Sequence, residues 1–236
     1  LGMIANFGSI YYLNRQYEPE DTTDDEIIEF DSSNTNMDSG LKRFITYDSL
    51  SEFSFHVSGP LMMVYWLRDL KFDYIELAIL INVSQVLGLF SMRYWGKRID
   101  NNGSYSTIRF TSFCIGIIPM FWVGIYYLPN ELILAGSIII ASLASLMFSG
   151  RALALDNRLY EHMKNKKMIK VTSKRFFFRG LSIFIGGLIG GLLTKNEISF
   201  SNYIQLDTVI HAVMGFSTVL RLGVWSYFLL DKRSEI

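Results

Sequence analysis

Trp95-Gly96-Lys97-Arg98-Ile99-Asp100-Asn101-Asn102-Gly103 is a short polar stretch between two long apolar runs. It reads as a hairpin joining two membrane spans at a bilayer surface. Ile75–Met92 precedes it and Phe110–Leu128 follows it. Each run has the length a transmembrane helix needs, about 20 residues. Transmembrane barrel strands would be about ten residues long and alternating in polarity. The spacing within the stretch is Gly96, then Asp100 four residues on, then Gly103 three residues further.

Working outward, Leu50–Leu70 forms a span if Glu52 and Arg68 sit at the interfaces. Pro60 lies in its middle beside Gly59, a kink that neighbouring helices can tolerate in lipid. Leu132–Gly150 is separated from Phe110–Leu128 only by Pro129, Asn130 and Glu131, so those two spans are antiparallel neighbours. Gly180–Thr194, extended back through Phe176–Phe178, and Val209–Leu230, interrupted by Arg221, complete six spans. The expected fold class is an all-α membrane protein. Residues 50–230 form its six-helix domain and residues 231–236 a cytoplasmic tail.

The stretch before this domain has two parts. Leu1–Leu13 is uncharged and apolar, and no basic region precedes it as an export signal requires. Residues 1–14 therefore read as the end of a preceding transmembrane helix, and the chain as the C-terminal part of a longer protein. Residues 15–49 read as a cytoplasmic acidic interdomain linker. Glu18, Glu20, Asp21, Asp24, Asp25, Glu26, Glu29 and Asp31 give it too little apolar surface to offset the entropy of ordering.

Of the 236 residues, 50% are hydrophobic, but their segregation into runs is more informative than the fraction. Net charge is zero, so no basic excess points to nucleic acid. The single cysteine, Cys114, lies inside an apolar run and reads as a small buried residue. It permits neither a disulfide framework nor a zinc-type cysteine spacing. Basic residues set the orientation. With loops numbered alternately, 18 of the 22 lysines and arginines fall on one side, three on the other, and Arg221 within a span. The 18-residue side is the cytoplasmic one, and it holds both ends of the six-helix unit.

Six spans with both ends inside, a long linker before the first, and Gly96-x3-Asp100-x2-Gly103 between the second and third resemble the C-terminal half of a major facilitator superfamily transporter. Asn101, Ser104 and Tyr105 stand where that family's loop carries basic residues, and Lys97 and Arg98 supply charge elsewhere. Tyr65-Trp66-Leu67-Arg68-Asp69-Leu70 is also similar to members of the family. The resemblance implies a conformational latch at Gly96, Arg98, Asp100 and Gly103. Asp100 would cap a helix N-terminus of the other half, where the dipole favours an anion. It also implies a central cavity lined by the first, second, fourth and fifth helices of each half.

Polar residues inside spans are the candidate cavity residues, because lipid exposure is costly for them. His56, Ser58 and Tyr65 lie on the first span. Asn82 and Gln85 lie three apart, on one face of the second. Ser142, Ser145 and Ser149 form a stripe on the fourth, where helix–helix packing is the plainer reading. Glu76 is close to the outer interface and reads as solvated. Gly186, Gly187, Gly190 and Gly191 form two overlapping Gly-x3-Gly pairs suited to close helix packing. Lys174, Arg175 and Arg179 read as a positive anchor, or as a cytoplasmic gate contacting the other half's counterpart of Asp100. Arg221 is deep for a cation unless paired.

The expected function is secondary active transport of a small organic solute by alternating access, with proton coupling compatible. The competing readings are a non-transporting membrane sensor or assembly protein, and a membrane-embedded enzyme. No span carries the convergent nucleophile, paired acids or metal-ligand set an enzyme requires. No catalytic residue, metal or cofactor is therefore expected. The expected partners are the lipid bilayer of the cell membrane, a small-molecule solute and an N-terminal six-helix half of the same protein.

Overall fold

The computed structural model describes residues 39–162, 168–195 and 209–230. The expected helix end at residues 1–14, the acidic block and the tail lie outside these residues. All regular structure among the described residues is helical.

Helix α1, Ser39–Ser58, begins about three turns ahead of Leu50, inside the stretch read as linker. Leu41, Phe44, Ile45, Asp48, Glu52 and Phe55 recur at three- and four-residue spacing and are all buried. The charges that make this segment look like a loop point two ways: Lys42 outward to solvent, Asp48 inward. Gly59 and Pro60 break the helix, since proline cannot donate to the preceding turn. The chain resumes as α2, Leu61–Val64, and a π-helical turn, Tyr65–Asp69, in which Leu70 N donates to Tyr65 O at 3.0 Å. Lys71, at φ 56°, turns the chain into α3.

Helix α3 is Tyr74–Asn102. Its start is a reciprocal cap. Asp73 Oδ1 accepts from Glu76 N at 2.7 Å, and Glu76 Oε2 accepts from Asp73 N at 3.0 Å. Glu76 is thus a capping residue. At the other end the expected hairpin is absent. Residues 95–102 are the final turns of α3, and Gly103 alone, at φ 81°, joins it to α4, Ser104–Ile125. Gly103 ends the helix because it reaches that φ without a Cβ clash. Gly96 makes no turn. It lies in the helix, and an added Cβ would meet nothing within 4 Å. Helices α5, Asn130–His162, α6, Met168–Lys195, and α7, Val209–Leu230, follow.

Helices α3 to α7 are each long and apolar enough to cross a membrane, five in all among the described residues. The α1–α2 segment, expected as a sixth span, is not among them: α1 carries Lys42, Arg43, Asp48 and Glu52 and is interrupted after Ser58. Large apolar side chains such as Phe90, Phe177, Phe184 and Val219 face outward, while arginines and carboxylates are buried inside. That inverted polarity is compatible with an integral membrane protein and is unusual for a soluble one.

The packing has a hidden regularity. The main seams are α3 on α5, α1 on α6, α4 on α5, α1 on α7, and α4 on α7, with lesser contacts of α3 on α4 and α6 on α7. Exchanging α1 with α5, α3 with α6 and α4 with α7 returns the same set. Nearly all of this packing joins α1, α3 and α4 to α5, α6 and α7, so the helices interleave as one compact bundle.

Small residues make the two matched seams tight. In the α3–α5 seam, Gly88 faces Ser145 and Ser149, and the Trp95 ring lies against Gly150 while its Nε1 donates to Leu146 O at 2.8 Å. The serine stripe is thus packing surface. In the α1–α6 seam, a Cβ at Gly186 would sit 2.6 Å from Phe53 O, and one at Gly190 would collide with the Val57 carbonyl. Gly191 faces open space, and Gly187 has only Pro60 nearby at 3.8 Å. One of the two Gly-x3-Gly pairs forms the seam. Gly190→Val is expected to lower stability by about 1–3 kcal/mol through overpacking. Gly191→Ala is expected to leave it unchanged or slightly raised, because alanine is the better helix former. Thermal unfolding in detergent reads both.

Candidate functional site

Helical spacing places Asp48 and Glu52 on one face of α1, and Arg175 and Arg179 on one face of α6. Arg151 comes from α5. These groups form a chain of alternating charge. Asp156 Oδ1 accepts from Arg175 Nη1 at 2.9 Å, and Arg175 Nε donates to Asp48 Oδ2 at 2.7 Å. Asp48 Oδ1 lies 3.5 Å from Arg151 Nη2. Arg151 Nη1 donates to Glu52 Oε1 at 3.3 Å, and Arg179 Nη2 lies 3.1 Å from that same oxygen. Asp48 is 0% exposed, Glu52 4% and Arg151 3%, whereas the Asp156 side chain at the outer edge is 59% exposed. Desolvating such groups is expensive, and it is offset only by several close partners for each charge. Arginine suits this role because its planar fork can bridge two carboxylates.

Arg221 of α7 lies beside this chain and belongs to a different network. It is 9% exposed and bonds no carboxylate among the described residues. Its Nε donates to Ser217 Oγ at 3.1 Å, Nη1 to Ile115 O at 3.2 Å, and Nη2 to Ser58 Oγ at 3.0 Å and Phe55 O at 3.4 Å. Ser58 in turn donates to Ser217, and Ser217 to Ser54 O. The Phe55 ring lies 4.8 Å from the Arg151 guanidinium carbon and 5.0 Å from that of Arg221. Both separations suit cation–π attraction.

These groups form one wall of an open cavity of 520 Å³. Met62, Trp66, Ile118 and Trp122 form an apolar wall. The Trp66 and Trp122 rings are 5.5 Å apart, and Tyr65 Oη donates to Trp122 O at 2.8 Å. That bond holds the π-helical turn against α4. Pro119 and Trp122 of α4 and Arg221 of α7 also border the cavity. The wall therefore includes helices beyond the four that the resemblance implies.

His56 borders the cavity. Its Nδ1 is 2.9 Å from Glu52 O and 3.7 Å from Glu52 Oε2. Tyr65 is fully buried behind the wall. Asn82 and Gln85 are exposed and do not border it; Asn82 Nδ2 donates to Ala78 O of its own helix at 2.7 Å. Ser84, between them, does border it. Arg175 and Arg179, read as a gate to another half, find their partners within this chain. Lys174 is half-buried on α6, beside a surface recess with Lys42 and Phe177. In the motif segment Arg98 lies over the Phe110 ring at 4.8 Å and donates to Tyr94 Oη at 3.4 Å. Asp100 is exposed and makes no ion pair among the described residues.

Asp48, Glu52, Arg151 and Asp156 escaped the sequence reading, which took them as linker, interface and loop charges. Asp48 and Glu52 at i and i+4, bracketed by Phe44 and Phe55, were the available signal. No protein-family model matches the chain, and no curated protein is similar to it. Removing one member of the buried chain strands its partners. Asp48→Ala is expected to cost about 3–5 kcal/mol. Lys42→Ala, on the exposed side of the same helix, is expected to cost under about 0.5 kcal/mol. Denaturation of the two purified variants compares them.

Proposed function

We propose that the chain is one six-helix half of a secondary transporter of the major facilitator type, moving a small organic solute by alternating access. The observation that carries this reading is the position of the cavity. It is bordered by residues from α1 to α7, and small-residue seams join α1 to α6 and α3 to α5. Small residues at such seams let helix backbones approach closely in lipid. A broken helix, here Gly59–Pro60 and the π-helical turn, is a recurring feature of solute sites at membrane depth. Ionisable groups buried inside apolar helices point to a solute pathway.

In this reading the second half closes the cavity from the other side. Asp100, exposed at the end of α3 and free of ion pairs among the described residues, is available as the latch anion for a helix N-terminus of that half. Rim lysines and arginines keep the positive end of the bundle in the cytoplasm.

Site-directed labelling tests the reading, in a background that carries Cys114→Ser and has every other native cysteine of the complete chain replaced. In the complete chain, a thiol introduced by Ala144→Cys at the cavity wall is expected to react with a membrane-impermeant reagent from either side. Transported solute should change the ratio of the two rates. Reaction from one side only, insensitive to every solute tried, would sink the proposal. Asp100→Asn is expected to shift the same ratio toward the inward-open form by threefold or more.

A further inference from the structure

We propose that the cavity recognises an amphipathic organic anion, with its negative group seated on Arg221 and Arg151 beside Phe55. This deepens the transporter reading and rests on it.

The inference comes from charge balance. Asp156, Arg175, Asp48, Arg151, Glu52 and Arg179 alternate in sign along unbroken contacts, so together they are neutral. Among the described residues, Arg221 is the cation left over beside this chain. Every atom it bonds is a carbonyl or hydroxyl oxygen. The hydroxyls are arranged to serve it: Ser58 donates a hydrogen bond to Ser217, and Ser217 donates one to Ser54 O, so both present lone pairs to the guanidinium. Four of the five N–H groups are thereby used, and one on Nη1 is left. On Arg151, which also borders the cavity, Nη2 is held by Asp48 Oδ1 at 3.5 Å, while Nε makes no hydrogen bond. Among the described residues, two buried guanidiniums thus meet the same ring and the same space with one positive charge in excess.

A buried cation without a counter-ion is costly, and an anion entering the cavity would relieve that cost while gaining charge-assisted bonds. A carboxylate or phosphate group matches the planar fork of arginine. The apolar lining, with Met62, Trp66, Ile118 and Trp122, suits an apolar or aromatic body. A neutral sugar would leave the excess charge in place, and a cation would add to it.

The test uses the purified full-length protein. Tryptophan fluorescence, reporting through Trp66 and Trp122, is followed while benzoate, succinate or phosphate is added at constant ionic strength, with mannitol and choline as neutral and cationic controls. A saturable response to at least one of the three anions, and none to the controls, is expected. Arg221→Gln should weaken it tenfold or more, and Arg221→Lys less. If Arg221→Gln does not fold, butanedione modification of the wild-type protein replaces it: peptide mapping should show the bound anion slowing reaction at Arg221. A counter-ion supplied by another part of the protein would abolish the anion response. That result, a response untouched by Arg221→Gln, or a response to the controls alone would overturn the proposal. The labelling of Ala144→Cys separates the two readings. Alternation without anion binding removes only the anion inference, and anion binding without alternation removes only the transporter reading.

Discussion

Charge buried among apolar helices has to be solvated by protein, and that constraint organises this bundle. The alternating chain from Asp156 to Arg179 draws α1, α5 and α6 onto one point. Bond by bond it is a poor source of stability, since desolvation consumes most of the attraction. Its value is positional. Each guanidinium reaches a carboxylate only if the helices keep their register, so the ion chain fixes which face of α1 turns inward. Phe55 then comes to lie beside Arg151 and Arg221, and the cavity opens in front of them.

The seams carry the complementary property. Where Gly186 and Gly190 meet the carbonyls of α1, and Gly88 meets the serines of α5, the helices approach closely, and the Trp95 ring fills the space that Gly150 leaves. Dispersion and close approach hold such surfaces together. The ion chain ties α1 to α5 and α6, and the glycines of α6 close the α1–α6 seam on the same helices.

Much of the architecture was legible in the sequence, because bilayer thickness demands runs of about 20 apolar residues and lets little else produce them. Five such helices lie where those runs fall. The boundaries were harder. The polar stretch at 95–103 looked like a loop by composition, but helices extend beyond the apolar zone, and only Gly103 leaves helical geometry. The ion cluster was hidden for a related reason. Asp48 and Arg151 each lie near a run's end, where a charge ordinarily faces water. Their burial depends on α1, α5 and α6 converging, a tertiary fact that no local window contains. Arg221 was visible as a misplaced cation, but the Ser54, Ser58 and Ser217 relay that solvates it joins residues more than a hundred and fifty positions apart.

The most direct test of the account is flux. The complete chain, reconstituted in proteoliposomes, would be loaded on one side with an excess of the anion that binds best and given a trace of the same anion, radiolabelled, on the other. The account predicts transient, saturable accumulation of label in wild-type vesicles and its loss with Arg221→Gln. Label entering wild-type vesicles no faster than protein-free ones would contradict it.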